Sequence, residues 1–316
     1  MSYLSTLNRE ALCDFITHIK SYEPFCEIHI KENMLIPRQY KPKSNELIYH
    51  YCDANTFHAI CTNKTLRFCD VFSMNDFMEM HWGYSIWEKS ASELLPELGQ
   101  DFLDAIFHIS GLKALALASC FSQDGDVLSQ WRAYSNDGNG YVLGFRAKDL
   151  LRLPIKGLKV EYNEKKQIKE IKAMIKALHE VEESEDEKFG EDFINACVEI
   201  ANDLTSYKNP AFSEEKEVRL VHLVNFIKSN NSLKIVDPGG IAFGKDFAAQ
   251  EIKFLMSQNA PKTYLDIDFS NGEKNFPIKE VIIGPKNTVL SSAISVYLET
   301  LNIKNVEIKR SKASYR

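Results

Sequence analysis

The sequence lacks the features that mark a membrane or secreted protein. No apolar run approaches the ~18 residues that a membrane-spanning helix needs. Residues 1–6 have neither the basic segment nor the long apolar segment of a signal peptide. The seven cysteines form no C-x-x-C pair and no spacing typical of a zinc site. We therefore expect a cytoplasmic protein with reduced core thiols, no bound metal and no membrane partner.

The common nucleotide and hydrolase motifs are absent as well. The chain contains no P-loop, no G-x-G-x-x-G, no H-E-x-x-H and no G-x-S-x-G. Phosphate binding by a Gly-rich helix start and zinc-dependent hydrolysis therefore have no support. The net charge of −6 is opposite in sign to that of a typical nonspecific duplex-DNA binder. A local basic face is compatible with this charge, so nucleic acid is disfavoured as a partner rather than excluded.

The composition that is present predicts one ordinary globular fold. Of the 316 residues, 44% are hydrophobic and 26% are charged. Short strand-like segments interleave irregularly with helical ones, which predicts an α+β fold. We expect an N-terminal helix and irregular arm over residues 1–45 and a single α+β domain over residues 46–316. Within this domain, residues 164–206 predict an inserted helical hairpin divided by the acidic run 180–187.

The first half of the predicted hairpin is rich in lysine. A solvated face is the simplest interpretation, and a phosphate-tracking surface is the alternative. A contact surface for a protein partner is a third interpretation. These lysines are Lys165, Lys166, Lys169, Lys172 and Lys176.

Residues 128–145 are the stretch around which the chain is organised. They follow a buried strand at 115–122 and predict a short aromatic helix, a Gly-rich turn and an alternating strand. Trp131 and Tyr134 lie three residues apart, on neighbouring faces of the helix. We expect one ring in the core and the other, Tyr134, against a ligand ring. Ser122 and Ser129 are placed to hydrogen-bond an amide.

Two polar clusters lie upstream of this stretch. His50 sits in the predicted strand 47–51 and points away from Tyr49 and Tyr51. A neutral imidazole offers one donor and one acceptor, which suits a ribose diol, and a satisfied core histidine is the alternative. Asn75 and Asp76 follow in a polar loop, where turn formation or helix capping is commoner than lining a pocket.

A third cluster comprises Glu215, Glu217 and Arg219. In a strand, the period of two puts these three side chains on one face. A ladder of surface salt bridges is one interpretation. The functional alternative is a carboxylate that stabilises the cationic charge developing at an anomeric carbon as a glycosidic bond breaks. We expect this cluster, the aromatic helix and His50 to converge on one spot.

An ordered series of motifs in this chain resembles an uncharacterised family of bacterial domains of unknown function. The resemblance runs from about residue 47 to the end, and relatives of that family resemble toxin or phage-defence components. The motifs are Leu47-Ile-Tyr-His-Tyr51, Met74-Asn-Asp76, Cys120-Phe-Ser122, Trp131-x-x-Tyr134, Glu215-x-Glu217-x-Arg219, Ile283-Gly-Pro285 and the terminal Ser311-Lys-Ala-Ser-Tyr-Arg316. Their order is in turn similar to the ADP-ribosyltransferase fold, a split antiparallel β core with flanking helices that binds and cleaves NAD.

The resemblance implies a role for each candidate residue toward NAD as co-substrate. It implies that Glu217 binds the nicotinamide ribose as the catalytic carboxylate and that Glu215 orients the acceptor. His50 would hold the adenosine-side ribose, and the helix with Ser129 and Tyr134 would pack on nicotinamide. Further residues implied in cofactor binding are Tyr51, Asn75, Asp76, Phe121, Ser122 and Trp131. The central tyrosine of the His-Tyr-Glu pattern has no direct counterpart, so either Phe121 or Tyr134 takes its place.

The expected function is therefore cleavage of the nicotinamide–ribose bond of NAD. ADP-ribose would pass to water or to a macromolecular acceptor, either protein or nucleic acid. Two other classes remain open. One is a noncatalytic nucleotide-binding or protein-interaction module of a defence system. The other is a metal-dependent hydrolase or nuclease that uses Glu215, Glu217, His50 and Asp76 around a metal.

Overall fold

The computed structural model describes residues 38–71, 77–230, 232–257, 260–270 and 276–315, which belong to one compact unit. The predicted N-terminal helix and the candidates Asn75 and Asp76 lie outside the described residues. The strands are β1 (Leu47–Cys52), β2 (Thr65–Asp70), β3 (Ala114–Ser122), β4 (Tyr141–Arg146), β5 (Lys156–Lys159), β6 (Glu217–Lys228), β7 (Leu233–Val236), β8 (Gly240–Ala242), β9 (Lys245–Phe247), β10 (Lys253–Ser257), β11 (Ala260–Asp268), β12 (Ile278–Ile283) and β13 (Glu307–Arg310). The helices are α1 (Ala54–Asn63), α2 (Phe77–Leu98), α3 (Gln100–Lys113), α4 (Leu128–Tyr134), α5 (Ala147–Leu150), α6 (Glu164–Glu183), α7 (Glu191–Leu204), α8 (Ser291–Thr300) and a 3-10 helix (Pro210–Glu215).

A large, mostly antiparallel sheet organises these elements, and it confirms the α+β prediction in its general form. Its strand order is β10-β11-β2-β3-β1-β4-β12-β13. β6 lies along the whole of β3, and β6 also pairs with β5 and β7. The β3–β6 ladder aligns Ser122 with Glu217. The predicted carboxylate strand therefore lies beside the strand that leads into the aromatic helix.

The two faces of the sheet carry different cores. On one face, Phe121 and Val218 belong to the main hydrophobic core. On the other face, Trp131 packs in a smaller aromatic cluster. Because directly paired residues share a face and successive residues alternate, Ser122 and Glu217 lie on the face opposite Phe121 and Val218. We call these the core face and the site face.

The α6–α7 hairpin packs against α2 and α3 through charged and aromatic contacts. Lys172 and Lys176 of α6 pair with Glu93 and Glu97 of α2. The centroid of the Phe193 ring on α7 lies 5.6 Å from that of Phe102 on α3. Part of the lysine-rich face thus forms solvent-exposed ion pairs with α2, while Lys165 and Lys169 are exposed.

Helix and strand boundaries differ from the predictions in a few places. A proline within a helical pattern predicts a helix break at Pro96, but Pro96 lies inside α2 and the break between α2 and α3 falls at Gly99, where φ is 79°. Such a left-handed φ is available to glycine without steric cost, so the glycine ends the helix. The sequence of residues 158–162 also predicts a strand, but β5 occupies Lys156–Lys159 instead. Within the described ranges, no helix combines the length and apolarity needed to span a bilayer.

Candidate functional site

The acidic cluster does not lie along a single strand. β6 begins at Glu217, whereas Glu215 ends the 3-10 helix. Lys216 between them has a left-handed φ of 45° and turns the chain. The prediction of three side chains on one strand face is therefore wrong for Glu215, and it holds for Glu217 and Arg219.

Two buried cations nevertheless bring the carboxylates together. Lys208 Nζ lies 2.5 Å from Glu215 Oε2 and 3.1 Å from Glu217 Oε2. Arg219 donates from Nε to Glu217 Oε1 at 2.7 Å and from Nη2 to Glu217 Oε2 at 3.1 Å. All four side chains are buried, with Lys208 only 2% exposed. The site is thus a compact network of two anions and two cations, which we call the carboxylate network.

The network keeps Glu217 ionised. Burial raises the pKa of Glu217, but the adjacent charges of Arg219 and Lys208 outweigh burial and lower the pKa from 4.5 to about 2. The Cys120 thiol also hydrogen-bonds Glu217, and burial raises the pKa of this thiol well above its ordinary value. At neutral pH the pair is therefore a carboxylate beside a neutral thiol.

The lowered pKa of Glu217 predicts acid sensitivity. In the unfolded chain this carboxyl titrates near 4.5, so the folded state binds fewer protons and its stabilisation is complete above that pH. The stabilisation is lost as the pH falls from about 4.5 to about 2, and it amounts to about 3 kcal/mol. Urea denaturation at a series of pH values tests this. An equally steep decline in Glu217→Gln protein would contradict the assignment to this residue.

Tyr134 links the carboxylate network to the surface. Its side chain is 41% exposed, and its hydroxyl donates to Glu215 Oε1 at 3.2 Å. Burial of the hydroxyl end raises the pKa of Tyr134, and the charge of Glu215 raises it further. Of the two aromatic side chains on α4, Tyr134 is the exposed one, and its predicted contact with a ligand ring stays a prediction.

Trp131 is a core residue. Its side chain is fully buried, with its ring 5.2 Å from that of Tyr51 in an edge-on arrangement. Its Nε1 donates to Asp126 Oδ1 at 2.8 Å. The expectation that Trp131 contacts a cofactor is therefore wrong, because the sheet and the loop before α4 enclose the ring. Its position anchors the helix that presents Tyr134.

His50 does not join the carboxylate network. Tyr49 is paired with Ser122 and so lies on the site face, which puts His50 on the core face. There its ring centroid lies 5.3 Å from that of Phe121, and its Nδ1 hydrogen-bonds the Cys120 carbonyl at 3.0 Å. Burial lowers the pKa of His50. The predicted convergence of three clusters is thus wrong for His50, since alternation along β1 turns its side chain away.

Of the remaining candidates, Ser122 and Tyr51 hold the loops around the network in place. Ser122 Oγ donates to the Glu215 carbonyl at 2.7 Å and accepts from the Asp124 backbone N–H at 3.0 Å. The Tyr51 hydroxyl donates to the Asp124 carbonyl at 2.9 Å. The buried Ser129 Oγ has no hydrogen-bond partner in the described part of the chain. Ser122 and Tyr51 thus have structural contacts, and Phe121 belongs to the main core.

Sequence reasoning missed Lys208 and Tyr162. Lys208 bridges the two carboxylates, and Tyr162 accepts a hydrogen bond from the Glu217 backbone N–H at 3.0 Å. Lys208 lies in a connection between α7 and the 3-10 helix, where a lysine is usually solvated. Only the excess of carboxylates nearby hinted that a cation was needed.

A comparison with protein families matches the central part of the chain. A family model described as "Protein of unknown function (DUF2971)" matches residues 130–220. The matched segment includes Tyr134, Lys208, Glu215 and Glu217, and it ends one residue after Arg219. This match supports the resemblance to an uncharacterised domain family. No curated protein and no solved structure matches the chain.

Proposed function

We propose that this protein is an NAD-dependent ADP-ribosyltransferase-like enzyme that acts at the carboxylate network. The observation that carries the proposal is the 3.2 Å hydrogen bond from the exposed Tyr134 to the buried Glu215. It places an accessible aromatic ring next to a fixed anion. A nicotinamide ring can stack on such a tyrosine. A carboxylate beside it can stabilise the oxocarbenium-like charge that develops on the ribose.

In this proposal Glu215 faces the substrate and Glu217 anchors it. Glu217 is held at both oxygens by Arg219, deeper in the protein, whereas Glu215 is the carboxylate that Tyr134 contacts. Lys208 fixes the position of Glu215 relative to Glu217. The roles that the resemblance implies for the two acids are thus exchanged.

The reaction breaks the bond between the ribose anomeric carbon and the nicotinamide nitrogen. The bonding electron pair leaves with nicotinamide. Water, or a hydroxyl or amine group of a macromolecular acceptor, then attacks the anomeric carbon and releases a proton. The acceptor is water or a macromolecule, either protein or nucleic acid. The resemblance to a family related to toxin and phage-defence components fits an effector that depletes NAD or modifies a cellular target.

Nicotinamide release from NAD tests this function directly. Glu215→Gln is expected to lower the rate about 10²- to 10³-fold, because it removes a charge aimed at the transition state. Glu214→Gln is the matched control, since Glu214 is the exposed neighbour and its replacement makes the same charge change. Equal rates for the wild-type and Glu215→Gln proteins would remove Glu215 from this role.

A noncatalytic nucleotide-binding module is the second candidate. It is favoured by the balance of charge in the carboxylate network, since Lys208 and Arg219 offset the field that would stabilise a cation. Calorimetry with NAD separates the two functions. Binding that is lost in Tyr134→Ala protein, with no nicotinamide release from the wild type, would establish the module and reject the enzyme.

A metal-dependent hydrolase gains no support from the geometry. Glu215 and Glu217 contact Lys208 and Arg219, while His50 lies on the other face of the sheet. In the ranges that the structure describes, no group of three His, Cys, Asp or Glu side chains is placed to hold a metal ion.

A further inference from the structure

A polar cavity lies where the chain enters β1. It is an open cavity of about 660 Å³, lined mainly by lysine and amide side chains. Those side chains are Lys41, Lys43, Lys159, Gln39, Asn45 and Gln123. Tyr40 and Glu46 complete its wall. Neither the proposed NAD reaction nor any sequence motif accounts for this cavity.

The cavity is separate from the carboxylate network. Lys159 pairs with Val218, so its side chain points to the core face, whereas Glu217 points to the site face. Tyr40 lies on the same side, since a Cβ added to Gly157 would come within 3.5 Å of the Tyr40 Cβ. A ligand in this cavity would therefore occupy a site of its own.

Glu46 holds the wall of the cavity together through hydrogen bonds. Its Oε1 accepts from the Tyr40 hydroxyl at 2.8 Å and from Gln123 Nε2 at 3.4 Å, and its Oε2 accepts from the Lys43 backbone N–H at 2.9 Å. Burial raises the pKa of Glu46, but these hydrogen bonds outweigh burial and lower it. These hydrogen bonds tie the segment before β1 to the residue after β3. They also engage both oxygens of the one carboxylate in the cavity wall.

The charge of the lining favours an anion. Three lysines and one glutamate give a net charge of +2. Within the parts of the chain that the structure describes, Lys41 and Lys159 form no ion pair, in contrast to Lys172 of α6. Ammonium groups bind phosphate as point charges, and side-chain amides donate hydrogen bonds to its oxygens. A phosphate or pyrophosphate group matches this lining in sign, magnitude and donor type.

We propose that this cavity binds the phosphate or pyrophosphate group of a small ligand, at a site distinct from the carboxylate network. Lys41 and Lys159 supply the charge, and Asn45 and Gln123 supply amide donors. The group can belong to a free polyphosphate or to a nucleotide. The proposal does not rest on NAD cleavage, because the two sites lie on different faces of the sheet.

Calorimetry at low ionic strength with inorganic pyrophosphate tests the proposal. The Lys41→Gln/Lys159→Gln double variant is expected to bind pyrophosphate at least about tenfold more weakly, because it removes two of the three ammonium groups that line the cavity. Lys234→Gln/Lys245→Gln is the control with the same loss of charge. Lys234 lies opposite Ile227 of β6, whereas Lys159 lies opposite Val218 of the same strand. These two positions on β6 are about 30 Å apart.

Calorimetry with ADP and adenosine identifies the kind of ligand that carries the phosphate. Tighter binding of ADP than of pyrophosphate, with no binding of adenosine, indicates a nucleotide, and equal binding of ADP and pyrophosphate indicates a site for the phosphates alone. Absence of binding for both ADP and pyrophosphate overturns the proposal, as does an equal loss in the two double variants. Glu215→Gln is expected to leave pyrophosphate binding unchanged, so failure of the proposed enzyme and failure of this site are distinguishable.

Discussion

Replacing Glu217 with glutamine is expected to destabilise the protein by about 3–5 kcal/mol. The replacement removes the negative charge that accepts from Arg219 at two points and leaves this guanidinium buried beside a neutral amide. Lys208 loses one of its two carboxylate partners at the same time. The free energy of unfolding in urea measures the loss. A decrease below about 1 kcal/mol would mean that the buried pair contributes little.

Two further variants isolate the cause of that loss. Glu214→Gln makes the same chemical change at an exposed position and is expected to shift the unfolding free energy by less than about 0.5 kcal/mol. Replacing Glu217 and Arg219 together with leucine and methionine is expected to recover part of the stability lost in Glu217→Gln, because no uncompensated charge remains between them. A double variant less stable than Glu217→Gln would show that packing, rather than charge, sets the effect.

Trp131→Ala is expected to cost about 3–5 kcal/mol. The indole is fully buried against Tyr51, and its Nε1 proton is donated to Asp126. Alanine would leave a cavity behind α4 and an aspartate oxygen without this donor. Because α4 carries Tyr134, loss of the indole is also expected to weaken any binding that depends on the exposed ring. Chemical denaturation gives the first effect and NAD calorimetry the second.

Smaller changes on the same helix provide the comparison for Trp131→Ala. Trp131→Phe keeps most of the buried volume and loses the hydrogen bond to Asp126, so a cost of about 1–2 kcal/mol is expected. Tyr134→Ala removes an exposed ring and one hydrogen bond, and about 1 kcal/mol is expected. If Tyr134→Ala destabilises as much as Trp131→Ala, the ring is a structural residue and no ligand surface remains on α4.

Much of the secondary structure follows from local sequence patterns. Alternation over residues 47–51 and 217–225 predicts β1 and β6, because a sheet with one face in the main core needs a period of two. Asp53 has the side chain of an N-cap, and its Oδ1 accepts from the Thr56 backbone N–H at 2.7 Å. These features depend on neighbours within a few positions, so the sequence suffices to predict them.

The site depends on features that local patterns do not contain. The pairing of Tyr49 with Ser122 puts Tyr49 on the site face of β1. His50, the next residue, therefore points into the main core. The position of Glu215 depends on the left-handed backbone conformation of Lys216. Lysine rarely adopts this conformation, so the sequence does not predict it. The bridge by Lys208 joins segments only after folding. Tertiary pairing, rather than local propensity, therefore decides which polar side chains meet.

The β3–β6 ladder also determines when the site can form during synthesis. Tyr134 and Glu215 are 81 positions apart, and the α6–α7 hairpin is translated between them. Until β6 emerges from the ribosome, β3 can pair with β1 and β2, but the edge that β6 covers stays open, and an open strand edge is a surface prone to misassembly. A nascent chain stalled before residue 208 would therefore carry the stacking ring without the anion beneath it. The carboxylate network can therefore form only after the ribosome has passed residue 219.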